Sequence, residues 1–132
     1  MAGALDGIKV LDLSRFIAGP YCAMLLGDLG AEVVKVEKPG TGEGTRNLDP
    51  KVNGGSLYAA AIHRNKKSVA LDLRNPDHLA KLRGLAAKAD VVIENFRPGT
   101  MEAMGCSWDE LSARNPKLIM VRISGYGQEA PE

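Results

Sequence analysis

The sequence predicts an α/β protein with a Rossmann-like, largely parallel sheet of five strands and helices on both faces. Three observations carry that expectation. Five short apolar runs rich in Val, Ile and Leu have the length and the flanking turn residues of strands. Segments with helical spacing fall between successive runs, which is the mark of parallel strands covered by crossover helices. The first three elements, strand, helix and strand, follow one another within residues 8–37 and make a βαβ unit whose right-handed crossover is close to obligatory.

The first strand is read at residues 8–13, an alternation of Ile, Val and Leu with Lys and Asp. A helix follows with Pro20 in its first turn, where a missing N–H is no loss, and it stops at Gly30. The second strand spans residues 32–37 and is closed by Lys38-Pro39-Gly40. Residues 41–56 are polar and rich in Gly and Asn, too long for a simple connection, so they are expected to be functional or mobile. A short helix at residues 57–63 precedes a third strand at 67–73, whose residues alternate with period two. Asn75-Pro76 starts the next helix, with Leu79, Leu82, Leu85 and Ala86 on one face and Lys81, Arg83 and Lys88 outward. The fourth strand is Val91-Val92-Ile93; Ser107 caps a helix beginning Trp108-Asp109-Glu110-Leu111; the last strand spans 118–123. Only residues 124–132 follow it, so the sheet is expected to be an incomplete piece of a larger domain, completed by more chain or by a partner.

Composition narrows the function classes. The chain has 132 residues, 45% hydrophobic and 25% charged, enough for one domain with a real core. Its 17 Lys and Arg against 16 Asp and Glu give a net charge of +1, which argues against nucleic acid or a membrane surface as partner. No apolar run approaches the roughly 20 residues that span a bilayer, and the cytoplasm is the expected compartment. Cys22 and Cys106 lack metal or redox spacing and are expected as reduced thiols, and His63 and His78 stand apart from any ligand pattern, so no metal is expected.

Chemistry concentrates at predicted strand ends. Asn95-Phe96-Arg97-Pro98-Gly99 brings an amide, an aromatic face and a guanidinium to the carboxyl end of the fourth strand, where ligands of such sheets lie. Lys38 follows the second strand and Arg74 the third, so three cations are expected along one edge, fit to grip a polyphosphate by charge-assisted hydrogen bonds. Gly40-Thr41-Gly42-Glu43-Gly44 imitates a phosphate loop, but it follows the second strand and opens no helix directly, which argues against a nicotinamide or flavin site.

Six blocks of the sequence then resemble one family. They are Val10-Leu11-Asp12-Leu13-Ser14 with Ala18-Gly19-Pro20, the run 26–37, Gly42 through Arg46, Asn65-Lys66-Lys67-Ser68, residues 89–99, and Ser124-Gly125-Tyr126-Gly127-Gln128. Together and in this order they look like the amino-terminal portion of a family III coenzyme A transferase, a group that includes formyl-CoA transferases, carnitine and bile-acid CoA-transferases and α-methylacyl-CoA racemases. The resemblance implies that residues 1–132 are an amino-terminal CoA-binding segment of a longer enzyme that interlocks as a homodimer. It implies CoA contacts from Phe16, Ile17 and Ala18 after the first strand, from Lys38, from Leu71 and Arg74, and from Asn95, Phe96 and Arg97. One departure is Ala103, where the family commonly has an Arg four residues after the Pro-Gly glycine.

The chemistry so implied moves CoA from an acyl-CoA to a carboxylic acid. An aspartate attacks the thioester to give a mixed anhydride, the released CoA thiolate converts this to an enzyme aspartyl-CoA thioester, and the acceptor carboxylate finally takes the CoA. That aspartate matches no position here: Asp12, Asp28, Asp72, Asp90 and Asp109 read as strand, cap or surface acids, so the chain by itself is expected to be inactive. The alternatives are a fragment of an α-methylacyl-CoA racemase and a non-catalytic CoA-binding or assembly module.

Overall fold

The structure is a computed structural model that describes residues 2–129. In chain order its elements are β1 (Lys9–Asp12), α1 (Ala18–Asp28), β2 (Glu32–Glu37), a single 3-10 turn (Gly44–Asn47), β3 (Lys51–Val52), β4 (Gly55–Ser56), α2 (Leu57–Ile62), β5 (Lys66–Ala70), α3 (Pro76–Ala86), β6 (Val91–Glu94), α4 (Thr100–Ala103), α5 (Trp108–Arg114) and β7 (Ile119–Arg122). Five strands form one parallel sheet in the order β5-β2-β1-β6-β7, and β3 and β4 form a separate antiparallel hairpin. With β1 in the middle and the chain moving outward first to one side and then to the other, this is the Rossmann order.

Local chemistry explains most boundaries. Asn75 caps α3 by accepting from the Asp77 N–H, Ser56 caps α2 through the Ala59 N–H, and Ser107 with Glu110 closes a capping box on α5. Helix α1 gives way to Gly30 at φ 106, a left-handed turn that glycine adopts without cost, before β2 starts. Two expectations shift. The third main strand lies at Lys66–Ala70 rather than residues 67–73, because it is an edge strand and pairs only with Val33 through Glu37 of β2. The segment 41–56 is more ordered than a loop, holding the 3-10 turn and the β3–β4 hairpin.

Two cores lie on opposite faces of the sheet. Under α3, α4 and α5, Leu11, Leu13, Val36, Leu82, Ala86, Val92, Met101 and Leu111 form the larger one. Under α1, Val10, Ala23, Ala31, Val33 and Ile93 form the smaller. Both cysteines are free, Cys106 buried and Cys22 half-buried, and burial pushes both thiols up from their ordinary value. Among the described residues no helix is long and apolar enough to cross a membrane.

Candidate functional site

Parallel strands all finish on the same side, and a crevice of about 400 Å³ opens beyond the carboxyl ends of β1, β2 and β5. That size falls within the roughly 300–1,000 Å³ of small-molecule clefts. Its walls come from the residues after β1 (Leu13, Arg15, Phe16), the end of β2 (Val36, Glu37, Lys38), the glycine-bearing turn (Gly42, Glu43, Gly44) and the stretch Leu71 to Arg74.

Four of the nine residues proposed from sequence meet in this crevice: Phe16, Lys38, Leu71 and Arg74. Leu71 is buried in the larger core and forms the floor. Lys38 is exposed and has no carboxylate partner among the described residues. Arg74 stands four residues beyond β5 and is 80% exposed; its Nε lies 3.2 Å from Asp72, whose carboxyl the guanidinium holds below the usual range.

Asn95 and Phe96 act at one remove. The Asn95 side chain accepts from the Arg15 N–H at 2.7 Å and donates to the Arg15 carbonyl at 2.8 Å, so β6 grips the β1–α1 turn by both backbone groups. The Arg15 guanidinium lies 5.1 Å from the centre of the Phe96 ring, a cation–π contact. Ile17, Ala18 and Arg97 are exposed and lie outside the crevice walls, so the third strand-end cation does not join the other two. Ala103 sits on the exposed side of α4, and Tyr126 in the segment after β7 is 92% exposed.

Sequence reasoning missed Arg15 and the acids. Arg15 lines the crevice beside Lys38 and Arg74, and its position right after the first strand was the available signal. Gly42 and Gly44, discounted as a dinucleotide loop, nonetheless form one wall. The acids are held in check by partners. Glu37 receives Nε and Nη2 of Arg46 at 2.7 and 2.5 Å, and that hydrogen bonding keeps its carboxyl below the ordinary range against the opposing effect of burial. Glu43 is buried, which by itself pushes its carboxyl up, yet hydrogen bonds from His63, Thr45 and the Phe16 N–H, with the Lys35 charge, bring it down to about 2.

Asp12, read from sequence among strand, cap or surface acids, is fully buried at the end of β1. It lies 2.9 Å from Lys66 Nζ and 3.4 Å from Lys35 Nζ and accepts from the Ser14 N–H and hydroxyl. Burial lowers the affinity of Lys35 for its proton, Asp12 opposes that, and Lys66 adds to it. No group of three or more His, Cys, Asp or Glu side chains among the described residues has the arrangement of a metal site.

A Rossmann-ordered sheet places this cation-lined crevice at the carboxyl ends of its strands, the side on which open α/β sheets carry their ligand sites. The family is more specific: the model of CoA-transferase family III matches residues 5–132, and the chain belongs to that family. It is 49% identical over 128 residues to succinyl-CoA–D-citramalate CoA-transferase of Chloroflexus aurantiacus, covering 96% of this chain and 32% of that protein. It is 45% identical to human succinyl-CoA:glutarate CoA-transferase, covering 96% of this chain and 29% of that one. The crystal structure of a CAIB/BAIF family protein from Brucella suis superposes with a TM-score of 0.92 at 41% identity, over 99% of this chain and 36% of its own. The chain thus spans about a third of the length of the relatives it matches.

Proposed function

We propose that this chain is the CoA-binding portion of an enzyme that transfers CoA between an acyl-CoA and a carboxylic acid. The observation that carries the reading is the convergence of Arg15, Lys38 and Arg74 on one crevice in a member of CoA-transferase family III. Phosphate groups of CoA are the natural partners of these cations, and Leu71 with Phe16 offers apolar surface to the base or the pantetheine arm. Asn95 and Phe96 serve the ligand through Arg15, while Ile17, Ala18 and Arg97 are assigned to the outer reach of an extended ligand.

The aspartate that would attack the thioester is assigned to chain outside residues 1–132. Support comes from the state of four of the aspartates present. Asp12 is buried between two lysines, Asp28 is paired with Arg64, Asp72 with Arg74, and Asp90 accepts from the Lys9 N–H. A carboxylate so engaged is a poor nucleophile. The chain alone is therefore expected to bind CoA without sustaining CoA exchange between an acyl-CoA and an acid.

Calorimetric titration with free CoA tests the binding reading. Arg74→Ala, Lys38→Ala and Arg15→Ala should each weaken CoA by about tenfold or more, in keeping with about 1.5–3 kcal/mol for a charge-assisted hydrogen bond, and Arg97→Ala by less. Absence of binding by the unaltered chain, or indifference to the three crevice cations, overturns it. Sustained exchange catalysed by the chain alone would overturn the assignment of the aspartate elsewhere.

A further inference from the structure

We propose that Glu43, backed by His63, is a positioning residue that sets the Arg15–Phe16 corner of the crevice for its ligand, a role that rests on the CoA-binding reading above. Phe16 has φ 63, a left-handed backbone disfavoured for a residue with a bulky side chain. Among the described residues, the other non-glycine ones in this region are Asn53 and Asn65, of the type that tolerates it. Burial does not explain the phenylalanine, since it is 54% exposed.

What holds it is a carboxylate. The Phe16 N–H donates to Glu43 Oε1 at 2.8 Å, and Oε2 of the same group accepts from the Thr45 N–H at 3.2 Å, the Thr45 hydroxyl, and His63 Nε2 at 3.0 Å. Behind His63, Lys66 Nζ donates to Nδ1 at 3.3 Å, to Asp12 at 2.9 Å and to the Pro20 carbonyl at 2.9 Å. An ammonium has only hydrogens to give, so Nδ1 accepts, and the Nε2 hydrogen lies between Glu43 Oε2 and the Thr45 hydroxyl oxygen, 2.8 Å from Nε2. The chain Asp12, Lys66, His63, Glu43 thus runs from the sheet interior to one backbone N–H at the crevice rim.

The corner is clamped on its other sides as well. Asn95 holds both backbone groups of Arg15. The Phe16 ring lies so close to Gly44 that a Cβ there would come within 2.9 Å of it, so any side chain at position 44 would displace the ring. Backbone strain over-determined in this way, with both corner side chains lining a crevice, is preorganisation: the wall is set before the ligand arrives.

Glu43→Gln tests the role. Glutamine keeps the shape but offers one oxygen, so its amide NH2 must face either the Phe16 N–H or the Thr45 N–H with the His63 Nε2–H; Lys66, already donating to Nδ1, prevents the imidazole from exchanging tautomers to relieve this. In calorimetric titration with free CoA, Glu43→Gln should bind about tenfold more weakly than the unaltered protein. In a chain already carrying Phe16→Gly the same substitution should cost less than about twofold, because glycine takes a positive φ without an acceptor to hold it. Equal weakening in both backgrounds would mean that Glu43 only supports the fold and would overturn the proposal. Amide hydrogen exchange at Phe16 needs no ligand: protection in the unaltered protein, lost in Glu43→Gln, supports the clamp, and a fast-exchanging Phe16 amide in the unaltered protein overturns it. If Glu43→Gln fails to fold, the exchange of the unaltered protein decides alone. A protected Phe16 amide in protein that takes up no CoA would overturn the CoA reading while supporting the clamp.

Discussion

The two faces of the sheet are stabilised by different means. Under α3, α4 and α5 the core is apolar, and its one buried acid, Glu94 at the end of β6, is met by Arg122 Nε at 2.8 Å. Under α1 the apolar cluster is small, and toward the strand ends it gives way to buried Asp12, Lys35, Lys66, His63, Glu43 and Thr45. Desolvation offsets most of the attraction within a buried ion network, so such a network is a poor source of stability but a strong source of fixed orientation. The charged half ends on the Phe16 N–H at the crevice, and the larger apolar core reaches the same crevice through Leu13, Val36 and Leu71. One face supplies most of the apolar burial, and the other fixes the orientation of the crevice corner.

The largest expected effect breaks the charged face. Asp12→Ala leaves Lys35 and Lys66 buried without their carboxylate and should destabilise the chain by about 3–5 kcal/mol in urea unfolding. A loss no larger than that of a surface substitution would mean the network is dispensable. Leu82→Ala on the apolar face, at 1% exposure, should cost about 2–5 kcal/mol while leaving the affinity of the surviving folded protein for CoA unchanged. A large change in affinity would erase the division of labour between the faces.

Acid sharpens the comparison further. Glu43 sits at about 2 in the fold against an ordinary 4.5, so its carboxylate favours the folded state above pH 4.5 and that contribution fades as pH falls toward 2. Glu37, also held low by Arg46, acts in the same direction on the same face. Stability followed by denaturant titration should therefore fall across this window, with Glu43 contributing up to about 3 kcal/mol of the change. Glu43→Gln should flatten that slope, and an unaltered slope would contradict the assigned hydrogen bonds. The smallest effect is expected at Lys67–Glu32, an ion pair 71% and 48% exposed on β5 and β2. Lys67→Ala should leave the urea midpoint unchanged, with or without added salt.

Much of the fold was legible in the sequence because its signals are local. Apolar runs marked all five strands of the main sheet, and Pro20, Gly30, Asn75-Pro76 and Ser107 marked helix ends through capping and backbone chemistry that depends on a few neighbours. The β5 boundary was less legible because an edge strand ends where its neighbour's hydrogen-bonding groups end. Position 103 was visible as an alanine, whereas the contact between Arg15 and Phe96 was not, because those residues belong to different strand ends.

By itself, the sequence determined that this is a parallel α/β protein, that Lys38 and Arg74 follow neighbouring strands, and that its blocks match family III CoA-transferases, since periodicity, turn residues and motif order are properties of a linear chain. Only the tertiary structure decided that Arg15 replaces Arg97 beside those two cations, and that Asp12, Lys66, His63 and Glu43 form a buried relay to Phe16. The reason is physical: a side chain's role as ligand contact or internal support depends on which partners folding brings within hydrogen-bond distance, and those partners lie up to 81 residues away in the chain.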